Sequence, residues 1–338
     1  MTFAAKGRGR RSDPTPKPEG DPGEDREEGV VSMRRLYAIF VSLVLAAVAC
    51  GEPADPGAST RTPAGAGFPA TVEGANGPLE ISARPERIVS LSPTATEMLF
   101  AIGAGDQVVA VDDQSDYPAG VPTTDLSGYE PNIEAIAGYE PDLVVSEGTA
   151  IRSLKSLGIP VLVQTAANTL DDTYVQLEQL GLATGHQDEA VALIEDMQAR
   201  IAEIVQSVPD FEQAPTYYHE LDDTYFTVTS KTFIGEVYKL VGLRNIADKA
   251  DKAGTGYPQL SAEYILDADP DFIFLADTEC CNQTPQKVAQ RPGWDQITAV
   301  RNGAVIAVAD DIASRWGPRV VDFLEIVAGA VAETQTAP

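Results

Sequence analysis

Residues that bind metal ions or form covalent cross-links are scarce in this chain. Its 338 residues include only three cysteines and two histidines, namely Cys50, Cys280, Cys281, His186 and His219. No Cys-x-x-Cys pair occurs, which excludes zinc ribbons and thioredoxin-like redox chemistry. A bare transition-metal ion usually recruits several imidazoles. We therefore expect no protein-held metal ion and no resident cofactor.

Sequence motifs of the common enzyme classes are also missing. The chain contains no Gly-x-Ser-x-Gly nucleophile elbow, no phosphate-binding loop ending in Gly-Lys-Ser/Thr and no His-Glu-x-x-His pair. With two histidines, acid–base chemistry would depend on carboxylates, which are too abundant to single out. The sequence favours a binding protein and not an enzyme.

Basic residues are few in comparison with acidic ones. The chain has 24 Lys and Arg against 51 Asp and Glu, for a formal net charge of −27. Binding to nucleic-acid phosphates requires clustered basic side chains, so nucleic acid is not an expected partner. The acidity is typical of a solvated acidic surface, with attraction of a cationic ligand as the alternative interpretation.

The N-terminal region has an export signal. Residues 36–50, LYAIFVSLVLAAVAC, directly follow two arginines. About 13 apolar residues after basic ones are typical of a secretory signal, whereas a spanning helix needs about 20. The ending Ala-Val-Ala-Cys resembles a bacterial lipobox, with Ala47 where Leu is usual. This resemblance implies lipidation of Cys50 and an extracytoplasmic protein anchored to the cell membrane, with plain secretion as the alternative.

The segments around this signal differ from it in composition. Residues 1–32 are rich in Pro, Gly and charge, so either Met33 is the true start, which we favour, or a disordered extension precedes the signal. We assign residues 33–49 to a lipoprotein signal peptide. Residues 50–81 are predicted to be the lipidated cysteine and a flexible linker, because residues 51–78 are rich in Gly, Pro, Ala and Thr.

From residue 86 onward, short apolar runs alternate with helical patterns. This alternation predicts an α/β fold with mostly parallel sheets covered on both faces. The first lobe, residues 82–185, has expected strands at 87–91, 108–111, 142–145 and 160–163. The second lobe, residues 209–333, has expected strands at 216–221, 271–276 and 304–308, and helices at 233–241 and 318–333.

Two helices carry more specific expectations. Apolar side chains recur at every third or fourth position from His186 to Val208, which predicts one amphipathic helix of about 33 Å between the lobes. Thr94 and Glu97 have the spacing of a capping box at the start of the helix after the first strand. Two lobes also create a cleft, which is the usual place for a ligand.

Several segments resemble, in the same order, those of the Fe-siderophore/haem/vitamin B12 class of periplasmic binding proteins. They are PERIVSLSPTATE at 85–97, SDYP at 115–118, NIE at 132–134 with EPDLV at 140–144, LSAE at 260–263, RPGWDQ at 291–296 and RWGPR at 315–319. The resemblance covers about residues 82–332. It implies two Rossmann-like lobes joined by a single long helix, the class III periplasmic-binding-protein fold. It also implies a solute-binding protein of an ABC importer.

The resemblance also implies how the protein docks on a permease. Members of this class present one glutamate from each lobe to arginines of the ABC permease subunits, and the matching residues are Glu134 and Glu263. Two separated charge-assisted contacts would fix orientation as well as affinity. The alternative is that both carboxylates only interact with the positive ends of helix dipoles.

Ligand-contacting residues follow from the same resemblance. Tyr117 matches a cleft aromatic of the vitamin B12-binding branch, Tyr257 lies where that branch places a tryptophan, and Tyr129 is near another such position. Arg315 and Trp316 are further candidates at the rim. Several tryptophans expected for cobalamin are replaced here. A corrinoid and a ferric siderophore therefore both remain candidates, and haem is less favoured because no axial His or Tyr is evident.

Two alternatives concern the cysteines and the biological role. Cys280 and Cys281 are adjacent in an exported protein, so they are candidates for a strained vicinal disulfide, with two reduced thiols as the alternative.

A surface-anchored sensor or adhesin could have the same fold without any transport role.

Overall fold

The computed structural model describes residues 67–149 and 151–336. The predicted signal peptide and Cys50 lie outside the described residues. Among these residues, none of the helices combines the length and the apolar character that a membrane-spanning segment needs. The described residues form two α/β lobes around separate four-stranded sheets, joined by one long helix.

The described chain begins with a β-hairpin that the sequence prediction missed. Strands β1 (Ala70–Gly74) and β2 (Gly77–Ile81) pair antiparallel through a two-residue turn. The predicted linker is therefore wrong for this stretch. The turn residues are Ala75 and Asn76, and Gly77, the first residue of β2, has a φ of +89°, a conformation that glycine adopts without strain. A Gly- and Pro-rich composition hid a short Ala-Asn turn, followed by Gly77, between two strands of alternating burial.

The hairpin belongs to the first lobe. The Asn76 amide donates to the carbonyl of Val161 at 2.9 Å and accepts from the N–H of Val163 at 3.2 Å. Val72 and Ile81 are buried. The hairpin thus covers the edge of the first-lobe sheet.

The first lobe is built on four parallel strands in the order β4-β3-β5-β6. These strands are β3 (Ile88–Leu91), β4 (Val108–Val111), β5 (Leu143–Ser146) and β6 (Val161–Val163). The helices are α1 (Pro93–Ala101), α2 (Ile133–Gly138), α3 (Ile151–Ser156) and α4 (Leu170–Thr184). Every residue of β3, β5 and β6 is buried, as expected for parallel strands with helices on both faces.

A single helix, α5 (Gln187–Ser207), connects the two lobes. Its buried residues, Ala190, Ile194, Met197 and Ile201, lie on one face with the predicted spacing. The helix packs against α4, where Gly181 permits close approach, because a Cβ added there would lie 2.6 Å from the Cβ of Ala190. At about 1.5 Å per residue, α5 is about 32 Å long.

The second lobe repeats the parallel arrangement in the order β10-β9-β7-β8. Its strands are β7 (Thr216–Glu220), β8 (Arg244–Asn245), β9 (Phe272–Leu275) and β10 (Val305–Ala307). Its helices are α6 (Phe233–Leu240), α7 (Ala262–Ala268), α8 (Pro285–Ala289), α9 (Thr298–Arg301), α10 (Asp310–Ser314) and α11 (Val320–Thr336). The predicted fold of two lobes and one long connecting helix is confirmed.

The start of α1 differs from the prediction. Ser92 is the N-cap, its hydroxyl accepts from the N–H of Ala95, and Pro93 occupies the first helical position. Thr94 and Glu97 therefore do not form the predicted capping box. Glu97 is instead 3% exposed and is directed at the second lobe.

Candidate ligand-binding site

A cavity of about 330 Å³ lies between the lobes. On the first-lobe side its walls follow the carboxyl ends of three neighbouring strands, at Leu91, Asp112 and Glu147. On the second-lobe side the wall is formed by α10 and the residues that follow it, up to Trp316. Ligands of open α/β sheets bind outside the carboxyl ends of the strands, so this cavity is the candidate site.

Two other concavities of similar size lack these properties. One of about 310 Å³ is lined by Pro215 and Asp271, which precede β7 and β9. The other, of about 490 Å³, lies beside α1 and the amino end of β4. Both lie within a single lobe and at the amino ends of strands, where sheets of this type do not place their ligands.

An ion cluster centred on the buried carboxylate of Glu97 joins the lobes beside the cavity. Glu97 of α1 accepts from Arg315 Nη1 at 2.8 Å and from Arg319 Nε at 2.9 Å. Arg315 also contacts Asp116 at 3.2 Å and Asp311 at 2.7 Å. We call Glu97, Asp116, Asp311, Arg315 and Arg319 the interlobe ion cluster. Its bonds are charge-assisted and therefore strong for their type.

The guanidinium group of Arg315 is already bonded to other groups of the protein. Besides its three carboxylate contacts, Nη2 donates to the carbonyl of Gln114 at 2.9 Å. The side chain is only 10% exposed. Arg315 lines the cavity, but its guanidinium bonds to carboxylates of both lobes and does not present a free cation, and its contact with a ligand stays a prediction.

Trp316 is also fixed by contacts with the first lobe. Its indole N–H donates to the side chain of Gln176 at 2.9 Å, and its carbonyl accepts from the hydroxyl of Thr173 at 2.9 Å. Both partners lie on α4. The indole ring therefore forms a rigid part of the cavity wall.

The three predicted tyrosines have different positions. Tyr129 lines the cavity and is 84% exposed. Tyr117 packs on the interlobe ion cluster, with the Arg319 guanidinium 4.1 Å from its ring centroid. Tyr257 lies outside the cavity lining, on a loop where the carbonyl of Gly256 accepts from Thr229. Contact of these residues with a ligand stays a prediction.

Two cavity carboxylates were not anticipated from the sequence. The hydroxyl of Ser92 donates to Glu147 at 2.9 Å, and the hydroxyl of Ser115 donates to Asp112 at 2.8 Å. Partial burial raises the pKa of Glu147, and the nearby charge of Asp112 adds to this. Burial also raises the pKa of Asp112 despite its hydrogen bonds. Their position directly after β5 and β4 was the only available sequence signal.

Asp311 is a third carboxylate on the cavity wall. Burial raises its pKa to about 6, and the neighbouring carboxylate of Asp116 acts in the same direction. The positive charges of Arg315 and Arg319 oppose this rise but do not cancel it. The cavity therefore contains carboxylates that the nearby arginines neutralise only in part.

The two glutamates predicted to dock on a permease occupy matching positions. Glu134 is in the first turn of α2 and Glu263 in the first turn of α7, and both are exposed. Hydrogen bonds from its own backbone N–H and the Ser261 hydroxyl lower the pKa of Glu263. Glu134 and Glu263 are thus exposed carboxylates at helix starts on opposite lobes, and the docking role stays a prediction.

The adjacent cysteines lie on the loop after β9. Both are free thiols in the structure, Cys280 exposed and Cys281 partly buried. Asp310 accepts from the backbone N–H of Cys280 at 2.9 Å and so fixes the loop. The vicinal disulfide stays a prediction.

A second buried ion pair explains the Arg-Pro-Gly-Trp motif. Arg291 donates two bonds of 2.6 Å to the fully buried Glu220 and lies 4.6 Å from the ring centroid of Trp294. Asp277 is also fully buried, and neither of its carboxylate oxygens has a hydrogen-bond partner among the described residues. Burial and the charge of Glu220 raise the pKa of Asp277 to about 7.

Comparison with known proteins places this architecture in a family. Residues 88–312 match the model of a periplasmic binding protein family. The chain is 31% identical over 315 residues to an uncharacterized ABC transporter substrate-binding lipoprotein, YvrC, of Bacillus subtilis (strain 168), covering 88% of this chain and 98% of that one. It is 32% identical over 320 residues to a cobalamin-binding protein of Halobacterium salinarum, covering 87% and 85%.

A solved structure has the same fold. The periplasmic vitamin B12 binding protein BtuF of Vibrio cholerae superposes with a TM-score of 0.62 at 28% identity, covering 75% of this chain and 98% of that one. The resemblance to the Fe-siderophore/haem/vitamin B12 class is thereby confirmed. The chain belongs to the periplasmic binding protein family.

Proposed function

We propose that this protein is the extracytoplasmic solute-binding lipoprotein of an ABC importer. It captures an organic metal chelate in the interlobe cavity and delivers it to the permease. The observation that carries the proposal is the cavity at the carboxyl ends of the strands, with Tyr129 and Trp316 on its walls. A sensor or adhesin role is less well supported, because one relative is named as an ABC transporter substrate-binding lipoprotein.

A corrinoid is the favoured chelate, and a ferric siderophore is the second candidate. Relatives named for cobalamin and vitamin B12 align over most of the chain. A cavity of about 330 Å³ is at the lower end of the usual size of ligand sites. A large chelate would therefore insert one edge between the lobes and leave its remainder in the open cleft beside Tyr129.

The direct test is a titration of the purified protein with cyanocobalamin, ferrioxamine and haem, followed by quenching of aromatic fluorescence. We expect saturable binding of a corrinoid. Absence of binding by all three ligands would contradict the proposed function.

Two single variants define how far the ligand extends. Tyr129→Ala removes an aromatic ring from the cavity and should weaken binding by about tenfold, since one aromatic contact contributes roughly 0.5–1.5 kcal/mol beyond burial. Tyr257→Ala removes a ring from the second-lobe loop. Weakening by Tyr257→Ala as well would indicate a ligand that spans the cleft, whereas an effect of Tyr129→Ala alone would place it on the first-lobe side.

Delivery to the permease is tested through the two exposed glutamates. Replacing Glu134 and Glu263 with Lys should abolish cellular uptake and leave ligand affinity nearly unchanged, because neither residue lines the cavity. Normal uptake by the double variant would contradict docking through these residues.

Lipidation of Cys50 predicts a diacylglyceryl-modified N-terminal cysteine in the mass spectrum of the native protein.

A further inference from the structure

The ionisable residues on the cavity wall are unequal in sign. Three of them are carboxylates, Asp112, Glu147 and Asp311, and one is a cation, Arg315. The guanidinium of Arg315 is bonded to Glu97, Asp116, Asp311 and the carbonyl of Gln114. No described lining residue therefore offers a free positive charge to a ligand.

Hydroxyl groups at the cavity do not compensate for this. The Ser92 hydroxyl already donates its hydrogen to Glu147, and the Thr149 hydroxyl donates to the carbonyl of Gly128 at 2.7 Å. The Ser115 hydroxyl donates to Asp112. These three hydroxyls are therefore already engaged, and the side chains of Thr94, Gln114 and Tyr129, which also line the cavity, offer only neutral donors. Burial raises the pKa values of both Asp112 and Glu147, the charge of Asp112 adds to the rise for Glu147, and no cation is among the causes that oppose it.

A carboxylate oxygen that loses its water to a bound ligand is satisfied only by a donor on that ligand. A ligand edge that carries amide or ammonium N–H groups can donate to these carboxylates, and such charge-assisted bonds are stronger than neutral ones. A ligand edge that carries carboxylates is repelled by the negative charges of the wall. Such like-charge contacts weaken the binding of a wrong ligand strongly. The same wall therefore attracts one ligand class and excludes the other.

We propose that Asp112, Glu147 and Asp311 make the cavity select chelates whose inserted edge bears N–H donors, and reject chelates whose inserted edge bears carboxylates. The inference rests on the proposed function and deepens it. Amide-substituted corrinoids and cationic hydroxamate chelates belong to the accepted class. Haem, with two propionates, and polycarboxylate corrinoids belong to the rejected class.

A matched pair of ligands isolates this property. Dicyanocobinamide carries amide side chains on the corrin ring, and dicyanocobyrinic acid carries carboxylic acids on the same ring around the same cobalt. Titrated into the purified protein at pH 7.5, the amide form should bind about 100-fold more tightly or better, since like-charge contacts cost several kcal/mol. Equal binding of the acid form, or tighter binding of haem, would overturn the inference while leaving a chelate-binding function intact.

Variants assign the selectivity to residues. Asp112→Asn and Glu147→Gln each remove a charge at nearly constant shape and should reduce the amide-to-acid affinity ratio by about tenfold. Glu203→Gln, at an exposed position of α5 outside the cavity lining, makes the same charge change and should leave the ratio unaltered. An unchanged ratio in both cavity variants, folded by circular dichroism, would overturn the proposal.

A third ligand separates the inference from the favoured identity of the chelate. If dicyanocobinamide fails to bind but cationic ferrioxamine binds, and Glu147→Gln weakens that binding, the inference stands and the corrinoid identity falls. If an anionic ferric tris-catecholate binds more tightly than ferrioxamine, the inference falls and a siderophore-binding function stands.

Discussion

The buried carboxylate of Glu97 offers a direct measure of how firmly the lobes are joined. Glu97 lies on α1 of the first lobe, and both of its oxygens accept bonds from arginines of the second lobe. Glu97→Gln keeps the shape of the side chain and removes its charge. Arg315 and Arg319 then keep positive charges that are only 10% and 16% exposed and lose their shared counter-ion.

The expected loss of stability is large. Removing one partner of a buried ion pair typically costs about 3–5 kcal/mol. The lower value applies here, because Gln still provides one acceptor and Asp311 still neutralises part of the arginine charge. A loss of about 3 kcal/mol corresponds to a fall in Tm of roughly 6–12 °C for a folded unit of about this size.

A matched control uses an exposed ion pair between α5 and α11. Arg200 donates to Glu325 at 2.8 Å, and the two side chains are 42% and 50% exposed. Glu325→Gln should cost no more than about 1 kcal/mol, because exposed pairs are solvated and screened. Calorimetric unfolding of both variants, at low and high salt, compares them. If Glu97→Gln costs no more than Glu325→Gln, the interlobe ion cluster does not hold the lobes together.

Three further predictions follow from individual side chains. Asp277 keeps its proton in the folded protein up to a pKa of about 7 and loses it near 4 when unfolded, so stability falls as pH rises between these values. Asp277→Asn should therefore gain stability over the natural protein at pH 8 and little at pH 4, measured by urea unfolding. Tyr117→Ala should lower Tm by a few °C through its lost contact with Arg319, even without ligand. Alkylation and mass spectrometry of exported protein should find Cys280 and Cys281 both protected, as the predicted disulfide, and modification of both would contradict that disulfide.

Much of the fold was accessible from the sequence because its strands are parallel and buried. Such strands form continuous apolar runs, and the run at Val108–Val111 matches β4 at both ends. The connecting helix was also predicted to within one residue at each end, since its apolar face has a regular period. The hairpin β1–β2 was missed because the segment was judged by its composition, whereas the signal was the alternation of its strands and the Asn76-Gly77 pair at the start of β2.

The site was only partly accessible for a different physical reason. Glu97 and Arg315 are separated by 218 positions, and no local pattern indicates that they meet. The spacing of Thr94 and Glu97 favoured a cap, whereas tertiary ion pairing determined the orientation of Glu97. The resemblance suggested Arg315 as a ligand contact, but its bonds to carboxylates of both lobes depend on the packed structure and have no local sequence signal.

The contacts between the lobes restrict how the cleft can open. Besides α5 and the interlobe ion cluster, the hydroxyl of Thr173 bonds to Trp316, and the backbone N–H of Leu170 donates to Glu236 at 3.1 Å. Opening by a hinge would have to break these contacts while bending a helix of about 32 Å. We therefore expect small closure on ligand binding. A binding protein that changes shape so little presents Glu134 and Glu263 in nearly the same arrangement with and without ligand. The permease would then have to distinguish the ligand-bound protein from the ligand-free protein by the ligand-filled cleft itself.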